Sequence, residues 1–254
     1  MTACKVLPKL IVWALCVVMV FGSMTSTVFG DIVNDASEEE QGSTDPLPPL
    51  ILIPIPLPPG VDPASWMVDV PTNHWAYEYI NDLIERGIIS GYPLEEESMF
   101  EFKPGDDITR AELVKLLVDT KKLELIENYE GTEFADWDGV PGWAKPYIAA
   151  VAKAGILRGS QEAYGAFVNA NNTITLEEMI AMAVRTLEVE VMVDGTSGTR
   201  DFWEVSDWAK DYIAFALENR MIDTGEDGSV NGKRYAKRDE TAMVLHKLMQ
   251  YLGG

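Results

Sequence analysis

A Trp-Ala pair followed twelve residues later by a turn occurs three times in this chain, and that repetition limits the available folds more than any other feature. The copies run from His74-Trp75-Ala76 to Gly87-Ile88-Ile89, from Gly142-Trp143-Ala144 to Gly155-Ile156-Leu157, and from Asp207-Trp208-Ala209 to Arg220-Met221-Ile222. The Trp residues are separated by 68 residues (75 to 143) and then by 65 (143 to 208). Repetition at a nearly fixed period means one structural unit used three times, each copy too small to bury its own apolar face alone.

Apolar periodicity gives each copy two helices. Trp75 to Arg86 reads as an amphipathic helix, with Trp75, Tyr79, Ile80 and Leu83 at helical spacing and Gly87 as its stop. Gly91-Tyr92-Pro93 forms a turn, and a second helix runs from Thr109 to about Thr120. The second copy predicts helices from Trp143 to Lys153 and from Thr175 onward; the third predicts them from Trp208 to Asn219 and from Arg238 to Leu252. No strand pattern of comparable strength is present. The expected fold is all-α: three helix–loop–helix repeats over residues 66–125, 130–192 and 199–254.

The residues ahead of the repeats read differently. Residues 1–30 have the form of a secretory signal peptide: Lys5 and Lys9 are followed by the apolar core Leu10 to Val20, with a cleavage site at Val28-Phe29-Gly30. That core is shorter than the ~20 residues a membrane span needs. Both cysteines, Cys4 and Cys16, fall in this leader, so the exported chain would hold no disulfide, thiolate metal site or cysteine nucleophile. Residues 31–65 form a linker, acidic and then Pro-rich. Its stretch Pro46 to Gly60 carries seven prolines in fifteen residues, which dictates extended polyproline II geometry. Leu50, Ile51, Leu52, Ile53, Ile55 and Leu57 within it call for cover. Two occupants are open: its own helical domain, or another exported protein.

The chain carries 41 acidic against 20 basic residues, and its net charge goes from −21 to −23 on loss of Lys5 and Lys9. Such a field excludes nucleic acid and anionic membrane as main partners. The two histidines, His74 and His246, sit in no metal-ligand spacing, and no Gly-x-Ser-x-Gly or phosphate loop is present. Asp223 to Arg234 resembles a calcium loop but fails at Gly225 and at Arg234, where a bidentate Glu is required. No cofactor, metal site or catalytic constellation is expected.

The start of the second helix carries the sharpest signal. Thr109-Arg110-Ala111-Glu112 and Thr175-Leu176-Glu177-Glu178 are capping boxes. Arg110 is not explained by capping, because a cation at the first helical position opposes the helix dipole. It makes sense if it works with free backbone amides to hold an anion. Arg238 holds the matching place in Lys237-Arg238-Asp239-Glu240, and the middle copy has Leu176 there.

The run Asp69-Val70-Pro71, His74-Trp75-Ala76, Gly87-Ile88-Ile89-Ser90-Gly91-Tyr92, Phe102-Lys103-Pro104 and Ile108-Thr109-Arg110-Ala111-Glu112 resembles an S-layer homology domain. The copies beginning at Phe134-Ala135-Asp136 and Phe202-Trp203-Glu204-Val205 resemble it more distantly. The resemblance implies a monomer with an internal pseudo-threefold trimer of repeats. It implies a non-catalytic, secreted anchoring module that binds secondary cell-wall polysaccharide bearing pyruvylated amino sugar. The alternative is an adaptor whose Pro-rich segment docks another exported protein to the wall. Candidate polysaccharide-binding residues on this basis are Arg110, Arg238, Trp75, Trp143, Trp208, Gly91, Tyr92 and Thr109. Leu176 departs from the pattern, so the groove it serves is expected to be weak.

Overall fold

The computed structural model describes residues 67–94, 99–129, 134–162, 164–191 and 198–253. All of them belong to one compact unit, Thr44–Gly254. The expected signal peptide and the acidic and Pro-rich linker lie outside the described residues.

Six α-helices and two short hairpins make up the described chain. In order they are α1 (Tyr77–Glu85), β1 (Tyr92–Pro93), β2 (Phe100–Glu101), α2 (Arg110–Lys121), α3 (Lys145–Lys153), β3 (Ser160–Glu162), β4 (Gly165–Phe167), α4 (Leu176–Thr186), α5 (Lys210–Glu218) and α6 (Arg238–Leu252). β1 pairs with β2 and β3 with β4, both antiparallel. The expected helices are all present, but the first helix of each repeat starts two residues after its Trp. Trp75 and Ala76 lie in a turn closed by the Tyr77 amide donating to the His74 carbonyl at 3.0 Å. In the third repeat the same residues form a 3₁₀ turn, Asp207–Ala209.

Glycine stops α1 and α3 as expected, with Gly87 at φ 69° and Gly155 at 72°. The third repeat has Arg220 in the same left-handed conformation, at φ 52°. A side chain there is disfavoured, and the neighbouring Met221 and Ile222, both buried, hold the turn in place.

Each repeat is latched by one aspartate. Asp69 accepts from the amides of Phe102 (2.8 Å) and Lys103 (2.6 Å), Asp136 from Val168 (2.8 Å) and Asn169 (2.7 Å), and Asp201 from Val230 (2.8 Å) and Asn231 (2.7 Å). The second residue of every pair takes a left-handed backbone: Lys103, Asn169 and Asn231 at φ 58°, 54° and 52°. Two charge-assisted bonds per latch offset that strain.

Helix packing crosses from one repeat to another. The second helices α2, α4 and α6 touch one another, and each first helix packs mainly on the second helix of a neighbouring repeat: α3 on α2, α5 on α4, and α1 on α6. Beneath them, three backbone bonds close a triangle. Ile108 N donates to Ala236 O (3.1 Å), Ala236 N to Ile174 O (2.9 Å), and Ile174 N to Ile108 O (3.0 Å). All three residues are buried, and the apolar core runs continuously through all three repeats. No helix among the described residues is long and apolar enough to cross a membrane.

Candidate functional site

The second helices begin with capping boxes where the sequence contains them. Thr109 Oγ1 accepts from Glu112 N at 3.3 Å while Glu112 returns to Thr109 N at 2.8 Å; Thr175 and Glu178 repeat this at 3.4 and 3.0 Å. Lys237 has no side-chain acceptor, so only the returning bond survives there, Lys237 N to Glu240 at 3.0 Å. The next amides are not free, which corrects one expectation. Arg110 N and Ala111 N donate to Asn172 O (3.0 Å) and Ala170 O (2.9 Å) of the second repeat. Leu176 N and Glu177 N donate to Arg234 O and Gly232 O, both at 2.9 Å, and Arg238 N and Asp239 N to Asp106 O and Pro104 O at 3.0 and 3.1 Å. The helix N-termini are therefore joints between repeats and leave no amide nest for an anion.

Side chains, not amides, build the sites. Among the described residues, three of the grooves lie where repeats meet. The first is formed by Ser90, Gly91, Tyr92, Glu112 and Lys115 of the first repeat and Arg238 of the third. The Arg238 guanidinium lies 5.0 Å from the Tyr92 ring centre and 4.9 Å from that of Phe102, donates through Nε to Phe102 O at 2.8 Å, and stands 3.8 Å from Glu112 Oε1. The Tyr92 hydroxyl donates to Glu112 at 3.4 Å, and burial first, then the Glu112 charge, raises its pKa against the opposing Arg238. A Cβ on Gly91 would come within 2.8 Å of Glu101 O, so only glycine fits there. This groove is narrow, about 60 Å³.

The second groove is the most cationic and the largest, about 440 Å³, lined by Arg110, Arg158, Gly159, Ser160, Glu178, Arg185 and Trp208 among others. Arg110 is only 6% exposed. It donates through Nε to Val168 O at 2.7 Å and pairs with Glu178 at 2.9 Å, the same two roles as Arg238. Arg185 donates to Tyr212 Oη at 3.1 Å and to Ile156 O at 3.3 Å. Arg158 is exposed and has no ion-pair partner among the described residues. Trp208 is half exposed at the edge.

The third groove, about 270 Å³, is lined by Trp75, Tyr79, Leu176, Asp223, Arg234, Glu240 and two further apolar side chains. Leu176 is buried. Arg234, which comes from the loop ahead of α6, faces Glu240 here and donates to it at 2.7 Å through one nitrogen and again through the other. Each of these grooves thus sets an arginine against the glutamate that accepts from its helix's N-cap amide, even where the helical position has lost its arginine.

Of the residues predicted from sequence, Gly91, Tyr92 and Arg238 meet in the first groove, Arg110 and Trp208 in the second, and Trp75 in the third. Trp143 and Thr109 line none of these. Trp143 is half-buried against Tyr147 at 6.5 Å, and the Thr109 oxygen is taken up by its cap. Sequence reasoning missed Arg158, Arg185, Arg234 and Asp223. Arg158 sits where the first repeat has Ser90, so the departure from the first repeat's Ser-Gly-Tyr brought a cation into the groove.

Residues 68–114 and 133–180 each match the S-layer homology domain. The chain carries two S-layer homology domains. Among its relatives, the S-layer protein sap of Bacillus anthracis is 29% identical over 186 residues, covering 73% of this chain and 21% of that protein. An S-layer protein of Bacillus thuringiensis subsp. finitimus is 32% identical over 151 residues (59% and 17%), and an endoglucanase of Bacillus sp. (strain KSM-635) is 32% identical over 185 residues (71% and 18%). The chain spans about a fifth of the length of these relatives. The shared stretch is a non-catalytic anchoring domain that S-layer proteins use at the cell wall, and the chain is accordingly a secreted, wall-associated surface protein.

Proposed function

We propose that this protein is a wall anchor that holds secondary cell-wall polysaccharide non-covalently, with pyruvylated amino sugar as the recognised residue. Residues 199–254 act in it as a third S-layer homology repeat, completing a pseudo-threefold trimer. The observation that carries the reading is the charge of the second groove. Arg110, Arg158 and Arg185 face one carboxylate, Glu178, beside the half-exposed face of Trp208. A pyruvate ketal presents a carboxylate on a sugar ring, which matches a cation and an aromatic face set side by side. The chain's net charge of −21 does not prevent this, since screening over about 8 Å makes the local arginines count for more.

The test is sedimentation of the exported protein with purified walls, before and after removal of the pyruvylated polymer. Binding should be lost with the polymer and should weaken roughly ten-fold in Arg158→Ala, the loss of one charge-assisted bond. Equal binding to stripped walls would overturn the proposal.

A further inference from the structure

The three grooves share one plan but not one charge. The first holds Arg238 and Lys115 against Glu112, and the second holds three arginines against Glu178. The third holds Arg234 against two carboxylates, Glu240 and Asp223. Arg234 is also neutralised: two of its nitrogens bond Glu240, and one of them donates in addition to Tyr235 O at 3.2 Å. Asp223 is exposed and has no ion-pair partner among the described residues. An anion entering this groove would meet a net negative lining, so the residue that suits the second groove does not suit the third.

What the third groove offers instead is a fixed aromatic floor with acceptors beside it. Trp75 is 52% exposed. The His74 ring stacks on it at 6.0 Å, and Tyr79 meets it edge-on at 6.4 Å. A ring held by two neighbours loses little conformational freedom when a ligand covers its open face. The apolar face of a pyranose suits such a floor, and its hydroxyls suit acceptors such as Asp223 and Glu240.

We infer that the third groove, between Trp75, Tyr79, Asp223 and the Arg234–Glu240 pair, is a second sugar site that takes an uncharged sugar residue and discriminates against the acidic one. The inference rests on the polysaccharide reading above and divides its work: the second groove selects the charged residue of a chain, the third an uncharged one. It also revises the expectation set by Leu176, because the groove lacks an anion-holding cation yet keeps its volume, its arginine–glutamate pair and its aromatic floor.

The test uses the exported protein labelled with ¹⁵N, titrated separately with an uncharged N-acetylhexosamine disaccharide and with its pyruvylated form. The indole signals of Trp75 and Trp208 are followed, assigned through Trp75→Phe and Trp208→Phe. The uncharged sugar should move the Trp75 signal, and Asp223→Asn should weaken that response roughly ten-fold, the loss of one bond to a charged acceptor. Asp223 is exposed, so its substitution leaves the fold intact, as circular dichroism would verify. The pyruvylated sugar should move Trp208, and Arg158→Ala should weaken only that response. No movement of Trp75 with the uncharged sugar, or equal affinity of the third groove for the acidic sugar, would overturn the inference. No movement of Trp208 with the pyruvylated sugar would instead overturn the wall-polymer reading, while a Trp75 response would stand apart from it.

Discussion

Arg110 is the residue that sequence alone nominates as a ligand contact, and its surroundings change what its removal should do. In Arg110→Ala two bonds vanish at once: the 2.7 Å bond to Val168 O and the 2.9 Å pair with Glu178. The first is a buried bond from a charged donor, worth about 1.5–3 kcal/mol. The second has a partner whose side chain is 31% exposed; solvent screening reduces it to about 1 kcal/mol or less. Glu178 itself keeps its bonds to Thr175 N and Oγ1, at 3.0 and 3.1 Å, and water can reach it. The expected loss is roughly 2–4 kcal/mol, and at 2–4 °C per kcal/mol for a domain of this size the melting temperature should fall by roughly 4–16 °C. Arg158→Ala is the control, since an exposed side chain with no ion-pair partner among the described residues should change stability by about 0.5 kcal/mol or less. Melting is followed by circular dichroism, and wall binding is measured well below both transitions. Arg110 should show as a stability residue and Arg158 as a binding residue. An Arg110→Ala protein that melts like wild type would refute this account of the joint between the first two repeats.

Asp201→Asn, which replaces one acceptor oxygen by a donor facing the Val230 and Asn231 amides, should cost about 2–4 kcal/mol in urea unfolding, more than Asp136→Asn, because Asp201 is buried and Asp136 only half-buried. Leu176→Ala should leave the wall affinity of the folded protein nearly unchanged while costing about 2–5 kcal/mol of stability, because Leu176 is 2% exposed; a large drop in affinity would show that the third groove carries the anionic ligand after all. Burial raises the Asp239 pKa above its ordinary value, so its proton binds more tightly in the folded state and its contribution is lost as pH rises through that raised pKa. Asp239→Asn should therefore gain stability relative to wild type as pH rises from the ordinary carboxyl range, about pH 4, through that raised pKa, read as a widening difference in unfolding midpoints.

Periodicity made the six helices legible, and a Thr-x-x-Glu pattern located the start of α2 and α4 because a capping box is a local device. The start of the first helices was misplaced because Trp75 and its counterparts keep the helical spacing of the apolar face while the backbone there is still a turn. The two hairpins, with two or three residues per strand, are too short to show a period of two. The site was legible only in part. Arg110 and Arg238 could be singled out because a cation at the first turn of a helix looks out of place. Their partners could not, since Val168 and Phe102 contribute backbone carbonyls and every groove draws on more than one repeat. Arg234 was hidden for the same reason: it replaces the arginine missing at Leu176 in space and not in sequence.

The triangle of bonds among Ile108, Ile174 and Ala236 has a consequence for how the gene can be rearranged. A linear array of repeats has two ends, each needing a polar cap, and tolerates loss of an end repeat. Here α1 rests on α6, so the first and last repeats are neighbours on the same terms as consecutive ones. Removing any one repeat takes away two of the three bonds in the triangle, leaving the other two repeats with a pair of exposed faces. The repeats should therefore be gained and lost only as a complete set. Their order along the polypeptide should be free to rotate: a chain encoding second, third and first repeats in succession can still make all three bonds of the triangle.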